Sequence, residues 1–300
     1  MKKILIITQT VDRRDHILGF FHEWILGFSK KLDQVTVICL KKGEYDLPDN
    51  VKVLSLGKED GSSRFKYSER LIRYSINERK NYDAVFVHMN QEYVIIAGLL
   101  WRVLGKRILL WRNHPQGNIG TRIAVFLSDK VYCTSPTSFT KRFSKTVLMP
   151  VGINVTEKKG SIVQKRLRIL SLGRISPVKN VETVLSAFGK ILSVVPTATL
   201  SIVGDPMSRK IDLDYYENIR GLAGGLPVGS VSFYPGVDSI NTTSIYGSHE
   251  VFVNTTTPGS FDKTILESMA VGTPSFVCQD IWKETKYAHL AEHFYFPYKD

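Results

Sequence analysis

The chain has 300 residues, 43% of them hydrophobic, which is enough for two domains of about 150 residues that each bury a core. No apolar run approaches the roughly 20 residues that a membrane helix needs, and the apolar stretch after the first lysines is too short for a secretion signal. Single cysteines within apolar runs, at Cys39, Cys133 and Cys278, indicate buried thiols in a reducing compartment. We therefore expect a cytoplasmic protein.

The strands predicted in the first half are short and apolar. In chain order they are KILIIT, VTVICL, VKVLSL, AVFVHM, RILLWR, KVYCT and TVLMPV. Helical stretches separate most of them, and the first has apolar residues at helical spacing from Ile17 to Leu32. Alternation of this kind predicts a parallel sheet wrapped by helices, over residues 1–150.

The alternation stops over residues 151–166, a polar stretch with a basic cluster, which we interpret as an interdomain linker. It resumes with LRILSL, a helix from Asn180 to Val195, ATLSIVG, VSFYPG, a helix near Ser239–Tyr246, VFVNTT, a further helix and PSFVC. Residues 167–300 therefore form a second predicted α/β domain. Ligands bind beyond the carboxyl ends of strands in such sheets, so the loops after the strands carry the functional argument.

The charge of the chain is uneven. Residues 1–150 hold 25 Lys and Arg against 14 Asp and Glu, whereas residues 151–300 hold 15 against 14. This asymmetry indicates that the first half meets something anionic, such as nucleic acid, a phospholipid surface or an acidic substrate. We rank nucleic acid last and expect no nucleic-acid partner, because the charge is scattered and no reading helix is evident.

One basic segment with aromatic residues, at residues 62–80, fits a helix on an anionic bilayer. It fits slightly better an ordinary helix whose apolar side packs on the sheet and whose cations face water.

Two loops of the second half carry candidate ligand groups. In SLGRISPVKN, Arg174 and Lys179 lie beside a predicted helix start and could clamp a diphosphate, or they could be solvated loop charges. In IVGDP, Gly204 ends a strand where a backbone could approach a flat ligand, although a tight turn explains it equally well.

A third loop precedes a helix that contains a carboxylate within its apolar stripe. The turn TPGSFDK exposes backbone N–H groups at the helix start, which favours an anion, and Glu267 follows on the second turn. A carboxylate there could accept from the two neighbouring hydroxyls of a ribose. The alternative is a Glu that bonds to nearby backbone or faces solvent.

Together, LSLGRISPVKNVETVLSAF, LSIVGDP, VSFYPGV and FDKTILESMAVGTP resemble the second domain of the family 4 glycosyltransferases of the GT-B fold. The first half is similar to their acceptor domain. The resemblance implies two Rossmann-like domains facing across a cleft, an acceptor-side domain and a donor-binding domain. It also implies transfer of a hexose with retention, and no metal or other cofactor.

The resemblance also assigns roles to residues. Arg174 and Lys179 match the cations that hold the donor diphosphate, and Glu267 matches the carboxylate that binds the ribose. His114 matches the histidine at the donor sugar, and His88 is a second candidate. Gly19 falls where a glycine approaches the donor phosphates. The remaining donor contacts are implied at Gly204 and along the turn and helix start, at Ser260, Phe261, Asp262, Lys263 and Thr264.

The sequence departs from the family in two places. The Glu that commonly stands eight residues before the ribose carboxylate is replaced by Gly259, with Asp262 and Lys263 as the nearest substitutes. Family members also continue beyond the position of Asp300, so the chain is short at its C-terminal end by that comparison. These departures keep open a nucleotide-sugar-binding protein without turnover.

The leading interpretation is therefore a cytoplasmic glycosyltransferase that takes a nucleoside-diphosphate sugar. Its acceptor is lipid-linked or a polysaccharide, as in cell-envelope synthesis. The basic first half makes peripheral attachment to the inner face of the plasma membrane an option. The nucleobase, the sugar and the acceptor stay open, because the loops that would select them carry no decisive side chain.

Overall fold

The computed structural model describes residues 2–15, 17–150, 152–153, 166–238, 241–258, 262–279 and 294–297. The chain divides into two compact units, Met1–Pro150 and Val151–Asp300. Each contains one parallel sheet and its own buried core, which confirms the predicted fold class. The stretch interpreted as a linker, residues 151–166, lies almost wholly outside the described residues.

The first unit is built on seven parallel strands in the order β3-β2-β1-β4-β5-β6-β7. The strands are β1 (Lys3–Val11), β2 (Gln34–Lys42), β3 (Val51–Ser55), β4 (Ala84–His88), β5 (Arg107–Trp111), β6 (Lys130–Cys133) and β7 (Thr146–Leu148). The helices are α1 (Phe20–Ser29), α2 (Arg64–Asn77), α3 (Gln91–Val103) and α4 (Ile119–Leu127).

Helices cover both faces of this sheet, because successive side chains of a strand point to opposite sides. On β1, Leu5 and Ile7 pack into the core beneath α2, α3 and α4, while Ile4 and Ile6 pack beneath α1. The basic segment at residues 62–80 contributes α2, in which Leu71 is buried and Ile72 packs against the core. Its apolar side therefore faces the sheet.

The second unit has five parallel strands in the order β10-β9-β8-β11-β12. The strands are β8 (Arg168–Leu172), β9 (Thr199–Val203), β10 (Val231–Tyr234), β11 (Val251–Asn254) and β12 (Ser275–Val277). The helices are α5 (Val181–Val194), α6 (Lys210–Gly224), α7 (Thr242–Tyr246) and α8 (Lys263–Ala270).

The sequence analysis located α5, α7 and α8 but not α6. The buried residues of α5 recur at helical spacing, whereas only Asp212 and Ile219 of α6 are buried. Tyr215, Tyr216 and Ala223 of α6 pack against the core only partly buried, so its sequence carries a weak periodic signal. Among the described residues, no helix is both long and apolar enough to cross a membrane.

Candidate functional site

The candidate site of the second unit lies where the order of its strands reverses. β9 and β10 extend the sheet on one side of β8, and β11 and β12 extend it on the other. Open α/β sheets bind ligands in the crevice beyond the carboxyl ends of the strands at such a point. Here Arg174 and Lys179 follow β8, Thr255 and Thr256 follow β11, and all four line one small pocket.

Two glycines bring the loops after β8 and β9 into contact. Gly204 has a φ of +149°, and a Cβ atom added there would lie 2.0 Å from the carbonyl oxygen of Gly173. Only glycine adopts this backbone conformation readily. A glycine is therefore needed at position 204 because the loop after β8 packs against it. The sequence analysis had considered a different reason, close approach of the backbone to a flat ligand.

Lys179 forms an ion pair with Asp262, the N-cap residue of α8. The same carboxylate oxygen, Oδ2, accepts from Asn254 Nδ2 at 3.1 Å and Thr256 Oγ1 at 3.3 Å. The other oxygen accepts the backbone N–H of Thr264 at 3.3 Å. Four donors thus converge on one carboxylate, whose side chain is 11% exposed. Its lone pairs are filled, so it has little capacity left for the hydroxyls of a sugar.

Asp262 is ionised at neutral pH for a clear physical reason. Burial opposes its charge, but the charge of Lys179 and hydrogen bonds from Lys179, Asn254 and Thr264 outweigh burial, so the pKa of Asp262 lies well below its ordinary value. A fixed negative charge therefore already lies at the N-terminus of α8. The sequence had predicted an open anion site there.

Glu267 lies one turn further along α8 and also has partners. Lys263 Nζ lies 2.9 Å from Oε1 of Glu267, and the Tyr246 hydroxyl donates to Oε2 at 3.4 Å. Burial, followed by the charge of Glu267, raises the pKa of Tyr246 well above its ordinary value, so the phenol keeps its proton. Glu267 is thus held from two sides and is not a freely rotating surface carboxylate.

Two consecutive residues at the start of α8, Asp262 and Lys263, each form an ion pair with a side chain that the sequence analysis predicted to bind the donor. Asp262 pairs with Lys179, and Lys263 pairs with Glu267. Arg174 differs from them, because it is exposed and its Nη1 lies 3.2 Å from the sulfur of Met207. Of the other predicted donor contacts, Thr264 is buried and accepts from Asn254 at 3.0 Å. Ser260 and Phe261, together with Gly259, lie outside the described residues.

In the first unit, Gly19 is the N-cap residue of α1 and lies in a tight loop. A Cβ atom there would come within 2.5 Å of the carbonyl oxygen of Asp15. The Gly19 amide donates to that same oxygen at 2.8 Å. Packing of the loop accounts for the glycine, and its predicted role toward phosphate stays a prediction.

The two candidate histidines have opposite environments. His88, at the end of β4, is buried, stacks on Phe21 with ring centroids 3.9 Å apart and contacts Thr8 Oγ1 at 3.2 Å. Burial lowers the pKa of His88 to about 3, so its imidazole is neutral. His114, in the loop after β5, is exposed, and its Nδ1 accepts the backbone N–H of Gln116 at 3.0 Å. Of the two, only His114 is accessible to a substrate.

Sequence reasoning missed three residues that organise the site. Asn254 joins Asp262 to Thr264, and Tyr246 contacts Glu267. The side-chain oxygen Oε1 of Gln279 accepts the backbone N–H of Asp262 at 3.3 Å. Asn254 is the polar last residue of the otherwise apolar strand β11. It lies at the carboxyl ends of the strands, which we call the ligand edge of the sheet. A polar residue in that position is a pattern from which the sequence analysis could have identified it. Tyr246 and Gln279 had no comparable signal, because their positions depend on how α7 and β12 pack.

Two family models match the two halves of the chain. Residues 11–111 match the model described as Glycosyl transferase 4-like, and residues 166–285 match the model described as Glycosyl transferases group 1. Each covers less than half of the chain, and the two matches fall in different units.

Solved structures agree over nearly the full length. The chain superposes on Anabaena HepE, solved with UDP and glucose, with a TM-score of 0.73, 17% identity and coverage of 99% of this chain and 86% of HepE. The chain has the GT-B glycosyltransferase fold. This chain also superposes on sucrose-phosphate synthase from Thermosynechococcus elongatus, with a TM-score of 0.74 and 16% identity. That superposition covers 100% of this chain and 87% of the synthase.

A curated relative adds one sequence match to this GT-B chain. Alpha-monoglucosyldiacylglycerol synthase of Streptococcus pneumoniae is 26% identical over 134 residues. The match spans 44% of this chain and 29% of the length of the synthase. Among the described residues, no group of three or more His, Cys, Asp and Glu side chains could hold a metal ion.

Proposed function

We propose that this chain is a retaining, family 4 type glycosyltransferase that moves a hexose from a nucleoside-diphosphate sugar to a lipid-linked or polysaccharide acceptor. One observation carries the proposal. Arg174 and Lys179, the side chains expected to hold the donor diphosphate, follow β8 and line one pocket beyond the carboxyl ends of the strands. Glu267, expected to bind the ribose, lies in α8, whose N-cap residue Asp262 pairs with Lys179. The matches of both halves to glycosyltransferase models support it.

The proposed chemistry needs stabilisation of the leaving diphosphate. Negative charge grows on that group as the bond from the sugar carbon to the phosphate oxygen breaks. Fixed cations aimed at developing charge lower the barrier without reorganising during the reaction. Arg174 is exposed, and Lys179, whose side chain is 20% exposed, lines the same pocket. We propose that these two side chains take this role and that no metal ion is needed.

Glu267 suits the ribose of the donor. Its carboxylate is fixed by Tyr246 and Lys263 and is 19% exposed, so one edge can accept hydrogen bonds from vicinal hydroxyls. His114 is the accessible histidine, and we propose that it positions the donor sugar. In a front-face reaction the departing phosphate oxygen accepts the proton of the acceptor hydroxyl, so retention requires no separate protein base.

The comparisons guide the choice of substrates. HepE has been solved in complex with UDP-glucose, and the curated relative is named as a synthase of a glucosylated diacylglycerol. We therefore propose a UDP-hexose as the first donor to test and a membrane lipid as the first acceptor.

A thermal-shift panel with UDP, GDP and ADP tests donor binding. A nucleotide at 100 times its dissociation constant stabilises the folded state by about 2.7 kcal/mol. We expect UDP to raise the midpoint of the parent, and Arg174→Ala and Glu267→Ala to abolish the rise. Glu217→Ala is the matched control, because Glu217 is an exposed carboxylate on α6. An equal response of all three variants contradicts the proposed site.

Turnover is measured separately, with UDP-glucose and a diacylglycerol acceptor, and NMR of the product's anomeric proton reports retention or inversion. A second candidate is a nucleotide-sugar-binding protein without turnover. It is favoured by Gly259, which stands where the family commonly carries a Glu. UDP binding without transfer to any lipid or glycan acceptor and without donor hydrolysis supports this second candidate.

A further inference from the structure

The outward faces of α3 and α4 are apolar. On α3, Ile95, Ile96, Leu99 and Val103 are exposed at positions that recur with helical spacing, and Val103 is 85% exposed. On α4 the exposed apolar residues are Ile119, Ile123 and Phe126, with Phe126 76% exposed. We refer to these seven side chains as the α3–α4 patch. Surface helices normally place polar residues on the side that faces water.

The two faces form one continuous surface because the helices pack closely. A Cβ atom added at Gly98 of α3 would lie 3.1 Å from the Leu127 side chain of α4. A Cβ atom added at Gly120 of α4 would lie 3.1 Å from the Ile95 side chain of α3. Glycines at the crossing thus bring the patch residues of one helix beside those of the other. Contiguous exposed apolar surface of this kind marks an interaction site.

The segment of the chain that carries the patch is basic. Residues 91–145 contain nine Lys and Arg side chains against two carboxylates, Glu92 and Asp129. Arg122 lies on α4 among the exposed apolar residues. Arg102 Nε donates to the Leu127 carbonyl at 2.9 Å, and Lys145 Nζ donates to the Ser128 carbonyl at 2.7 Å, which fixes both cations at the end of α4. The net charge of residues 91–145 is therefore +7, out of +11 for the first unit, where 25 Lys and Arg stand against 14 Asp and Glu.

This combination identifies the occupant. A second copy of the chain would bring two strongly positive surfaces together, and like charges oppose such a contact. An anionic bilayer offers both an apolar interior for Leu99, Val103 and Phe126 and negative head groups for the cations. We propose that the α3–α4 patch docks the first unit on an anionic membrane surface.

The location of the patch fits a lipid acceptor. α3 begins just after the carboxyl end of β4, and α4 begins just after the loop that carries His114. Ile95 and Ile119 therefore lie at the end of the patch nearest the ligand edge of the first sheet. The membrane-facing surface is then α3 and α4. The basic helix α2, for which the sequence analysis slightly favoured ordinary packing on the sheet, is not part of it. Docking itself does not depend on the proposed donor chemistry.

Sedimentation with vesicles tests the proposal in the full chain without nucleotide. We expect the parent to bind phosphatidylglycerol vesicles and to bind neutral phosphatidylcholine vesicles at least tenfold more weakly. Leu99→Glu and Phe126→Glu should each lower binding to anionic vesicles at least tenfold, with unchanged thermal midpoints because both side chains are exposed. Phe65→Glu is the matched control, since Phe65 is 81% exposed on α2.

The outcomes separate the possible occupants. Loss of binding in Phe65→Glu but not in Phe126→Glu overturns the proposal in favour of α2. A concentration-dependent dimer in light scattering that Leu99→Glu dissociates, without vesicle binding by the parent, overturns it in favour of a second copy. A monomer that binds no vesicles overturns it in favour of a protein partner. Donor binding is measured independently, so a failed docking test leaves the proposed function standing.

Discussion

Replacing Asp262 with Asn should weaken the fold and strengthen nucleotide binding. Asp262 is the shared acceptor of Lys179, Asn254, Thr256 and the Thr264 amide. An Asn side chain keeps a carbonyl that can still cap α8, but it removes the negative charge that neutralises Lys179. Folding and binding therefore respond to this one substitution with opposite signs.

The stability change follows from the burial of the pair. Removing one partner of a buried ion pair costs about 3 to 5 kcal/mol. The Lys179 side chain is 20% exposed and can turn toward water, and Asn preserves the helix cap. We therefore expect Asp262→Asn to lower the free energy of unfolding by about 1 to 2 kcal/mol. Asp262→Ala, which removes all four acceptor contacts, should approach about 3 kcal/mol. The transition of the second unit in calorimetry measures both.

The binding change follows from Coulomb's law. A unit negative charge about 4 Å from a phosphate opposes it by about 1 kcal/mol in water-like surroundings and about 4 kcal/mol in partly buried ones. Asp262→Asn removes that repulsion and releases Lys179, so we expect about tenfold tighter UDP binding in calorimetric titration. Glu250→Gln is the control. Glu250 pairs with Arg168 at the N-terminal ends of β8 and β11, away from the pocket, so this substitution should alter stability without altering UDP binding.

The opposite result is equally informative. A folded Asp262→Asn variant that binds UDP more weakly than the parent would refute the reasoning, because Asp262 would then be aiming Lys179 at the phosphate instead of competing with it. Equal affinity of parent and variant would show that Lys179 does not contact the nucleotide.

Three further predictions concern stability and reactivity. Burial lowers the pKa of His88 to about 3, so below pH 6.5 the unfolded chain binds a proton that the folded chain excludes. The free energy of unfolding should therefore fall as the pH drops from about 6.5 toward 3. In His88→Gln, the urea midpoint should depend less on pH over that range. Gly204→Ala should lower the free energy of unfolding by about 1 to 3 kcal/mol, because the added Cβ would lie 2.0 Å from the Gly173 carbonyl oxygen. Gly221→Ala in α6 is the control: nothing lies within 4 Å of its added Cβ, so it should not destabilise the chain. Burial raises the pKa of Cys39 to about 12, so its thiol should resist a disulfide reagent at pH 8 until the chain is unfolded, and rapid labelling of the native protein would contradict this.

The sequence predicts the parallel sheets because their strands are short, apolar and regularly separated by helical patterns. It also places Arg174 and Lys179 after β8, since the end of that strand is readable from the residues before it. The partner of Lys179 was not predictable in the same way. Asp262 lies 83 residues further along the chain, and the contact depends on how β11 and α8 pack beside β8.

The exposed face of α3 was beyond sequence reasoning for a related reason. A helix that is apolar on most sides is ordinarily buried on most sides. Leu99 and Trp101 are both large apolar residues of this helix, yet Trp101 is fully buried and Leu99 is 67% exposed. Only the placement of α3 in the layer of helices decides which of them meets the core, and that placement is a property of the folded unit.

The aromatic cluster around His88 gives the protein an internal optical reporter. Trp24 contacts Trp111 with ring centroids 5.0 Å apart, and Trp24 also lies 5.9 Å from the imidazole of His88. Three of the four tryptophans, Trp24, Trp101 and Trp111, belong to the first unit. A Trp282→Phe variant would confine tryptophan emission to that unit, so fluorescence would follow the first unit alone while calorimetry follows both.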